Sequence, residues 1–289
     1  MMTPVGITSR WVAASRARET ESPGRLFVDP FARALAGDEG FAFLVAADRF
    51  KPGPPTTEPD PYLSIRTRFF DDALLGAVRG IPLEQVVLMA AGMDARAYRL
   101  DWPDGVTLYE VDRHEVLDYK ESVLSDLRAQ PRCARRIVPV DLREEWAGRL
   151  VDAGFDPARP SALLVEGLLV YLDESEVERL LAELSRLAQP GSWLGTDVVD
   201  NSLLDSPYMK PYLDEPDRLG CAWRFGTPEP EQLLARHGWS AAVVMPGESQ
   251  ADYGRWPYPV ASRDMLGIPR SYLMTARRID GASGPTTAP

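Results

Sequence analysis

Four residues with useful chemistry each come directly after a short apolar run in the middle of the chain. Gly92, Asp112, Asp141 and Glu166 lie in the segments AAGMD, YEVD, PVDL and VEG. A glycine turn lets backbone N–H groups approach a ligand closely. A carboxylate at such a position can accept hydrogen bonds from both hydroxyls of a ribose. In chain order, the four positions indicate a site for a small ligand that carries a sugar.

The turn that follows the first apolar run reads AAGMDARAYRL, and it lacks the GxGxxG fingerprint of dinucleotide-binding proteins. No GxxxxGK[ST] phosphate loop occurs either, so the ligand need not carry a pyrophosphate. Other interpretations stay open, because Gly92 could form only a tight turn and Asp141 could be a solvated loop acid. Glu110 points to the same side as Asp112 in a strand, and it could equally be structural.

The elements that must position these residues alternate between short apolar runs and helical patterns. The sequence predicts strands over 85–91, 106–111, 136–140, 162–165, 192–199, 241–245 and 270–277. It predicts helices over 8–20, 30–48, 62–79, 114–128, 143–152, 174–188 and 229–237. This alternation is typical of an α/β fold in which helices cover both faces of a mostly parallel sheet. Ligands of such folds bind beyond the carboxyl ends of the strands.

Changes of composition predict three regions. Residues 1–61 form an N-terminal helical cap that ends in the proline-rich segment Lys51–Pro61, which is either a flap over the site or a solvated linker. Residues 62–279 form the main domain, with irregular insertions at 201–228 and 246–269. Residues 280–289 form a flexible tail.

Charge and composition limit the classes of partner and cofactor that the protein is expected to bind. The formal net charge is −11, which argues against binding to nucleic acid or to an anionic membrane. The two cysteines, Cys133 and Cys221, and the two histidines, His114 and His237, form no metal-ligand pattern, so no metal is expected. No secretory signal pattern and no long apolar run are present, and we therefore expect a cytoplasmic protein. The sequence does not indicate an oligomeric state.

The segments SIRTRFFDD, AAGMDARAYRL, YEVD, PVDL and VEGLLVYL together resemble a known group of enzymes. They are similar to the class I S-adenosylmethionine (SAM) methyltransferases, and more narrowly to the leucine carboxyl methyltransferase family and its polyketide O-methyltransferase relatives. The resemblance covers Tyr62 to Asp200. It implies SAM as cofactor, S-adenosylhomocysteine as product, and a Rossmann-like sheet of seven strands in which the last strand is antiparallel.

The resemblance also implies roles for particular residues of this chain. The turn Ala90-Ala91-Gly92 would cradle the methionine moiety, and Arg66 would pair with its carboxylate, with Arg68 and Arg96 as rivals. Asp112 would hold the ribose, Asp141 and Leu142 would flank the adenine, and Glu166 and Tyr171 would lie near the sulfonium. Ala90 departs from the family's frequent Gly-Ala-Gly, which puts the close approach of the backbone at that position in doubt.

The resemblance implies an O-methyltransferase that modifies a hydroxyl or carboxyl oxygen of a small molecule, such as a polyketide-like or other secondary metabolite. The alternatives are a protein C-terminal carboxyl methyltransferase, an NAD-dependent oxidoreductase and a SAM-binding protein that does not methylate. Asp197, Asp200 and Tyr171 are candidate catalytic residues, Asn201 could face the acceptor, and His114 and His237 are weaker candidates for a base. The late aromatic residues either line a lid or anchor loops: Tyr208, Tyr212, Trp223, Trp256 and Tyr258.

Overall fold

The computed structural model describes residues 4–49, 58–81, 83–218 and 220–279. Its strands are β1 (Gln85–Met89), β2 (Thr107–Asp112), β3 (Ala134–Pro139), β4 (Ala162–Val165), β5 (Trp193–Val199), β6 (Trp239–Val244) and β7 (Ser271–Arg278). Its helices are α1 (Pro4–Glu21), α2 (Ala32–Asp48), α3 (Pro61–Gly80), α4 (Arg96–Arg99), α5 (His114–Asp126), α6 (Trp146–Asp152), α7 (Glu174–Leu187), α8 (Asn201–Leu204), α9 (Lys210–Arg218) and α10 (Pro230–Ala235). A 3₁₀ helix spans Leu169–Tyr171.

The seven strands form one sheet in the order β3-β2-β1-β4-β5-β7-β6. Strands β1 to β5 pair in parallel, and β7 runs antiparallel to both β5 and β6. The predicted Rossmann-like α/β fold, with seven strands and an antiparallel last strand, is confirmed. The strand order reverses between β1 and β4, which is where open α/β sheets bind ligands.

Apolar packing on both faces explains why the central strands lack alternation. Every residue of β1, β4 and β5 is buried. One face packs against α1 to α3, and the other packs against α6, α7 and α10. Burial on both sides favours continuous apolar runs, which is the pattern that the sequence shows.

Helix α3 begins at a strong local signal. Asp60 accepts a hydrogen bond from the Leu63 N–H at 2.9 Å, and Pro61 occupies the first turn, where no N–H is needed. This start places Arg66 in the second turn of the helix, where its side chain is buried. The predicted flap over Lys51–Pro61 lies largely outside the described residues, as does the tail 280–289.

The insertion at 201–228 was predicted to be irregular, and this prediction was wrong. It contains α8 and α9. Asp200 starts α8 by accepting a hydrogen bond from the Ser202 N–H at 2.8 Å, and Pro211 sits in the first turn of α9. Pro211, one of the prolines on which the prediction of irregular structure rested, therefore lies where a helix tolerates proline. The second insertion, 246–269, contains neither helix nor strand.

A cluster of buried and partly buried charges joins β2, α5 and β3. Lys120 Nζ is 2.7 Å from Glu110 Oε2, and Arg135 Nη2 is 2.6 Å from the same oxygen. Glu110 and Lys120 have no exposed surface. Glu110 is therefore a structural residue, and Asp112 is the acidic residue of β2 that lines the cavity.

We predict that Lys120→Met lowers the free energy of unfolding by about 3 kcal/mol, because it leaves a buried carboxylate with one cation fewer. The matched control is Lys210→Met, which removes an exposed partner of Asp214 and is expected to cost less than about 0.5 kcal/mol. Urea denaturation followed by circular dichroism measures both values. Equal losses in the two variants would contradict a role for the buried cluster.

Candidate functional site

A cavity of about 150 Å³ opens at the carboxyl ends of β1, β2, β4 and β5. Its walls come from α1, α3, the turn after β1, the 3₁₀ helix, α9 and the segment that follows α9. The sequence-predicted residues that it brings together are Arg66, Ala90, Ala91, Gly92, Asp112, Glu166, Tyr171 and Asp197. Residues that lie up to 131 positions apart therefore share one site.

The turn after β1 adopts a backbone conformation that few side chains accept. Ala90 and Gly92 both have a φ of 48°. A Cβ on Gly92 would lie 2.8 Å from the Cβ of Ser9, so the glycine also permits the close approach of α1. Ala90 has the same left-handed φ with a side chain present, which costs about 1–2 kcal/mol.

Asp112 is held against this turn by backbone donors. Its carboxylate accepts hydrogen bonds from the Gly92 N–H and from the Arg113 N–H, each at 2.7 Å. Burial raises the pKa of Asp112, and the two backbone hydrogen bonds oppose that rise. The carboxylate therefore lies in a fixed position on the cavity wall.

Glu166 joins two arginines across the site. Its Oε1 lies 3.0 Å from Arg66 Nε, and its Oε2 lies 2.8 Å from Arg96 Nη1. Burial lowers the pKa of Arg66, but the carboxylates of Asp197 and Glu166 outweigh that effect and raise it above its ordinary value. Both guanidinium groups therefore stay charged although they are buried.

Asp197 holds the other side of Arg66. Its Oδ2 lies 3.1 Å from Arg66 Nη1 and accepts a hydrogen bond from the Tyr62 hydroxyl at 3.0 Å. Its Oδ1 accepts a hydrogen bond from the Gly167 N–H at 2.6 Å. Gly167 has a φ of 66°, and a Cβ there would lie 3.1 Å from Arg66 Nη1. A larger residue at 167 would therefore crowd the guanidinium.

The two rivals of Arg66 have other roles in the structure. Arg96 pairs with Asp71 at 2.7 Å and with Asp94. Burial alone would raise the pKa of Asp94, but the pKa falls to about 2, mainly because of the charge of Arg96. Arg96 lines the cavity but is engaged by three carboxylates. Arg68 pairs with Asp72 at 2.7 Å and is not part of the cavity wall.

Two residues predicted to flank an adenine lie away from the cavity wall. Asp141 pairs with Arg143 at 2.6 Å and with Arg113 at 3.3 Å. The hydrogen bonds from Arg143 are the main reason why the pKa of Asp141 falls to about 2, although burial acts in the opposite direction. Leu142 packs against the apolar cluster on the far face of the sheet. Neither residue is among those that line the cavity.

The other candidates for acceptor chemistry have structural partners. Asp200 starts α8 and accepts a hydrogen bond from the Tyr272 hydroxyl at 2.8 Å. His114 pairs with Asp118 at the surface, and His237 pairs with Glu178. The ring centroids of Trp256 and Tyr258 are 5.2 Å apart, and Tyr208 is exposed. None of these side chains lines the cavity, and neither does Asn201, whereas Tyr212 and Trp223 do.

Helix α1 supplies site residues that the sequence did not reveal individually. Thr8, Ser9 and Trp11 line the cavity, and so does Arg16, which pairs with Asp29 at 2.9 Å and donates to the carbonyl oxygen of Met93. The spacing of Ser9 and Arg16 by seven residues places them on one helix face. That spacing could have shown that the two residues share a face, but the sequence does not show that this face contacts the turn after β1.

The fold and this site define a class I methyltransferase. A family model described as leucine carboxyl methyltransferase matches residues 9–185, and the chain belongs to that family.

Proteins with similar sequences support this family assignment. A protein of Parafrankia, described as a SAM-dependent methyltransferase, is 47% identical over 96% of this chain and 88% of its own length. One of Mycolicibacterium smegmatis with the same description is 40% identical over 88% of this chain and 89% of its own length. A methyltransferase structure from Thermobifida fusca shares the fold, with a TM-score of 0.61, 17% identity, and coverage of 90% of this chain and 96% of that one. The protein is therefore a methyltransferase that uses SAM.

The site fits this cofactor on its own geometry. The cavity offers a fixed acid at the end of β2, a buried arginine, and two glycines, Gly92 and Gly167, that let Ser9 and the Arg66 guanidinium approach the cavity wall closely. Among the described residues, no three His, Cys, Asp or Glu side chains are grouped to hold a metal ion. No helix in the described ranges is long and apolar enough to cross a membrane.

We predict that Ala90→Gly raises the free energy of unfolding by up to about 1 kcal/mol, because glycine relieves the left-handed strain but loses more chain entropy on folding. The control is Ala73→Gly inside α3, which is expected to lower it by about 1 kcal/mol. Chemical denaturation of both variants gives the values. A loss at Ala90 that matches the loss at Ala73 would show that the turn is not strained.

Proposed function

We propose that the protein transfers a methyl group from SAM to an oxygen atom of a small molecule. The acceptor oxygen belongs to a hydroxyl or a carboxyl group of a polyketide-like or other secondary metabolite. The observation that carries the proposal is the convergence of Arg66, Asp112 and Tyr171 on one cavity. The negative net charge supports a small acceptor rather than nucleic acid or an anionic membrane.

Two residues anchor the ends of the cofactor in this proposal. Asp112 accepts hydrogen bonds from the ribose hydroxyls, and its two backbone donors keep the carboxylate in place. Arg66 pairs with the methionine carboxylate. A guanidinium has five N–H groups, so its ion pairs with Glu166 and Asp197 do not exhaust its donors. Asp141 and Leu142 would join the site only if their segment moved toward the adenine.

Bound SAM supplies a methyl group on a positively charged sulfur. An oxygen lone pair of the acceptor forms the new C–O bond while the C–S bond breaks and its electron pair goes to sulfur. A carboxylate acceptor has no proton to lose, and a hydroxyl acceptor releases its proton to water. Glu166 and the ring of Tyr171 line the cavity, where a carboxylate and a π face suit a sulfonium.

We assign Asp197 to positioning rather than to proton transfer. Three donors already hold its carboxylate: Arg66, the Tyr62 hydroxyl and the Gly167 N–H. Both of its oxygens are thus engaged in holding Arg66, Tyr62 and the Gly167 backbone in place. The rate would then come mainly from orienting the acceptor in line with the breaking bond.

The second candidate is methylation of a protein C-terminal carboxyl group. The description of the matching family, leucine carboxyl methyltransferase, favours it. A binding protein that does not methylate would keep the cofactor contacts and lack any acceptor. A screen of small acids, phenols and C-terminal peptides with methyl-labelled SAM separates these candidates, because only the true acceptor class becomes labelled.

We predict that S-adenosylhomocysteine binds the purified protein at least tenfold more tightly than NAD does. The turn after β1 lacks a pyrophosphate fingerprint, whereas Asp112 can hold a ribose. Isothermal titration calorimetry of the two ligands under the same conditions decides the point. Tighter binding of NAD would overturn the proposal.

We predict that Asp112→Asn weakens S-adenosylhomocysteine binding about 10- to 100-fold, because a hydrogen bond to a charged group contributes about 1.5–3 kcal/mol. Asp126→Asn, an exposed substitution at the end of α5, is the matched control and should leave the affinity unchanged. Calorimetry on folded protein measures both. If the two variants bind alike, Asp112 does not hold the ribose.

A further inference from the structure

A row of aromatic side chains forms part of the cavity wall. The ring centroids of Trp11 and Tyr212 are 6.3 Å apart, and those of Tyr212 and Trp223 are 6.0 Å apart. Tyr171 continues the row at 6.5 Å from Trp223. All four residues line the cavity, and they come from four separate segments of the chain. Flat rings in edge-to-face contact offer a surface that suits another flat ring.

The backbone anchors Trp223 beside this site. The Arg224 N–H donates to the carbonyl oxygen of Val170 at 2.6 Å, and the Thr227 N–H donates to that of Val199 at 2.9 Å. The segment that carries Trp223 is thereby fixed both to the 3₁₀ helix and to the end of β5. The main chain beside Trp223 is therefore held at the cavity wall by hydrogen bonds to neighbouring elements.

The charges of the cavity wall are already paired within the described chain. Each arginine that lines the cavity lies within ion-pair distance of a carboxylate; these are Arg16, Arg66, Arg96, Arg99 and Arg113. No lysine is among the lining residues that the structure describes. The proposed function assigns the remaining donors of Arg66 to the cofactor carboxylate, so an acceptor carboxylate at the aromatic row would have no cation of its own, and burying an unpaired charge is costly. An uncharged acceptor avoids that cost.

The row has two buried indole N–H groups without a hydrogen-bond partner among the described residues, those of Trp11 and Trp223, and Trp223 is the one that lies between Tyr171 and Tyr212. The Nε1 of Trp223 is buried and makes no hydrogen bond of good geometry within the described residues, and the Tyr171 hydroxyl, whose pKa it lowers, is its polar neighbour. Burial has the larger effect and raises the pKa of Tyr171, so its hydroxyl stays neutral. A buried N–H without a partner is costly, and a ligand oxygen would relieve that cost.

We propose that the acceptor is an uncharged aromatic hydroxy compound. Its ring packs against Tyr212 and Trp223, and one of its oxygens accepts a hydrogen bond from Trp223 Nε1. This inference rests on the proposed function and narrows the acceptor to phenols. In the transfer, the phenol oxygen forms the C–O bond, the C–S bond of SAM breaks with its electrons going to sulfur, and the phenol proton leaves to water.

The test uses the full-length protein saturated with S-adenosylhomocysteine and two probes of the same ring size, 2-naphthol and 2-naphthoate. Equilibrium dialysis at pH 7 compares an uncharged ligand with an anion. We expect 2-naphthol to bind at least tenfold more tightly than 2-naphthoate. Trp223→Phe keeps a ring and removes the donor, so it should weaken 2-naphthol binding about five- to tenfold.

The matched control is Trp256→Phe, since Trp256 lies in a loop outside the cavity wall, and we expect it to bind both probes as the unaltered protein does. Tyr212→Leu is a second variant that removes a ring of the row, and it should weaken 2-naphthol binding without weakening S-adenosylhomocysteine binding. It keeps the test decisive if Trp223→Phe does not fold.

Three results would overturn the inference: equal or tighter binding of 2-naphthoate, no measurable binding of 2-naphthol, or unchanged binding of 2-naphthol in folded Trp223→Phe and Tyr212→Leu. Calorimetry with S-adenosylhomocysteine separates these failures from failure of the proposed function. If the cofactor product binds and 2-naphthol does not, only the acceptor assignment falls. If the cofactor product itself does not bind, the proposed function falls.

Discussion

The two ion pairs of Glu166 are the constraint on which the site depends. A buried charge is tolerated only when another charge and further hydrogen bonds satisfy it. Glu166 meets this requirement by binding Arg66 from α3 and Arg96 from α4, and so it ties both helices to the end of β4. Asp197 completes the arrangement from β5. The same pairs that make burial possible also set the position of the arginine assigned to the cofactor carboxylate.

Much of the fold could be predicted from local patterns. The central strands are buried on both faces and read as short apolar runs, and the residues directly after them read as turn residues. Because parallel strands align their carboxyl ends, Gly92, Asp112 and Glu166 had to meet at one edge of the sheet. Arg66 could be placed there only through resemblance to a family, since a helical arginine is more often a surface residue.

The parts that sequence reasoning missed depend on contacts between distant segments. Asp141 follows a strand as Asp112 does, but Arg143 and Arg113 bind it and it lies outside the cavity wall. Asp200 is a candidate catalytic acid in the sequence, and in the structure its side chain caps α8 and is not among the residues that line the cavity. The approach of Ser9 to Gly92 joins two segments whose proximity exists only after the sheet has formed.

The way in which Trp223 is anchored has a consequence for how this enzyme could change over evolutionary time. The anchors at Arg224 and Thr227 are main-chain hydrogen bonds, so they persist when side chains are exchanged. The family match ends at residue 185, before this segment begins. Side-chain changes in this segment can therefore alter the cavity wall while the main-chain anchors and the ion pairs of Glu166 stay in place. On the proposed function, such changes would alter which acceptor fits, without the stability cost that changes in the buried ion pairs would bring.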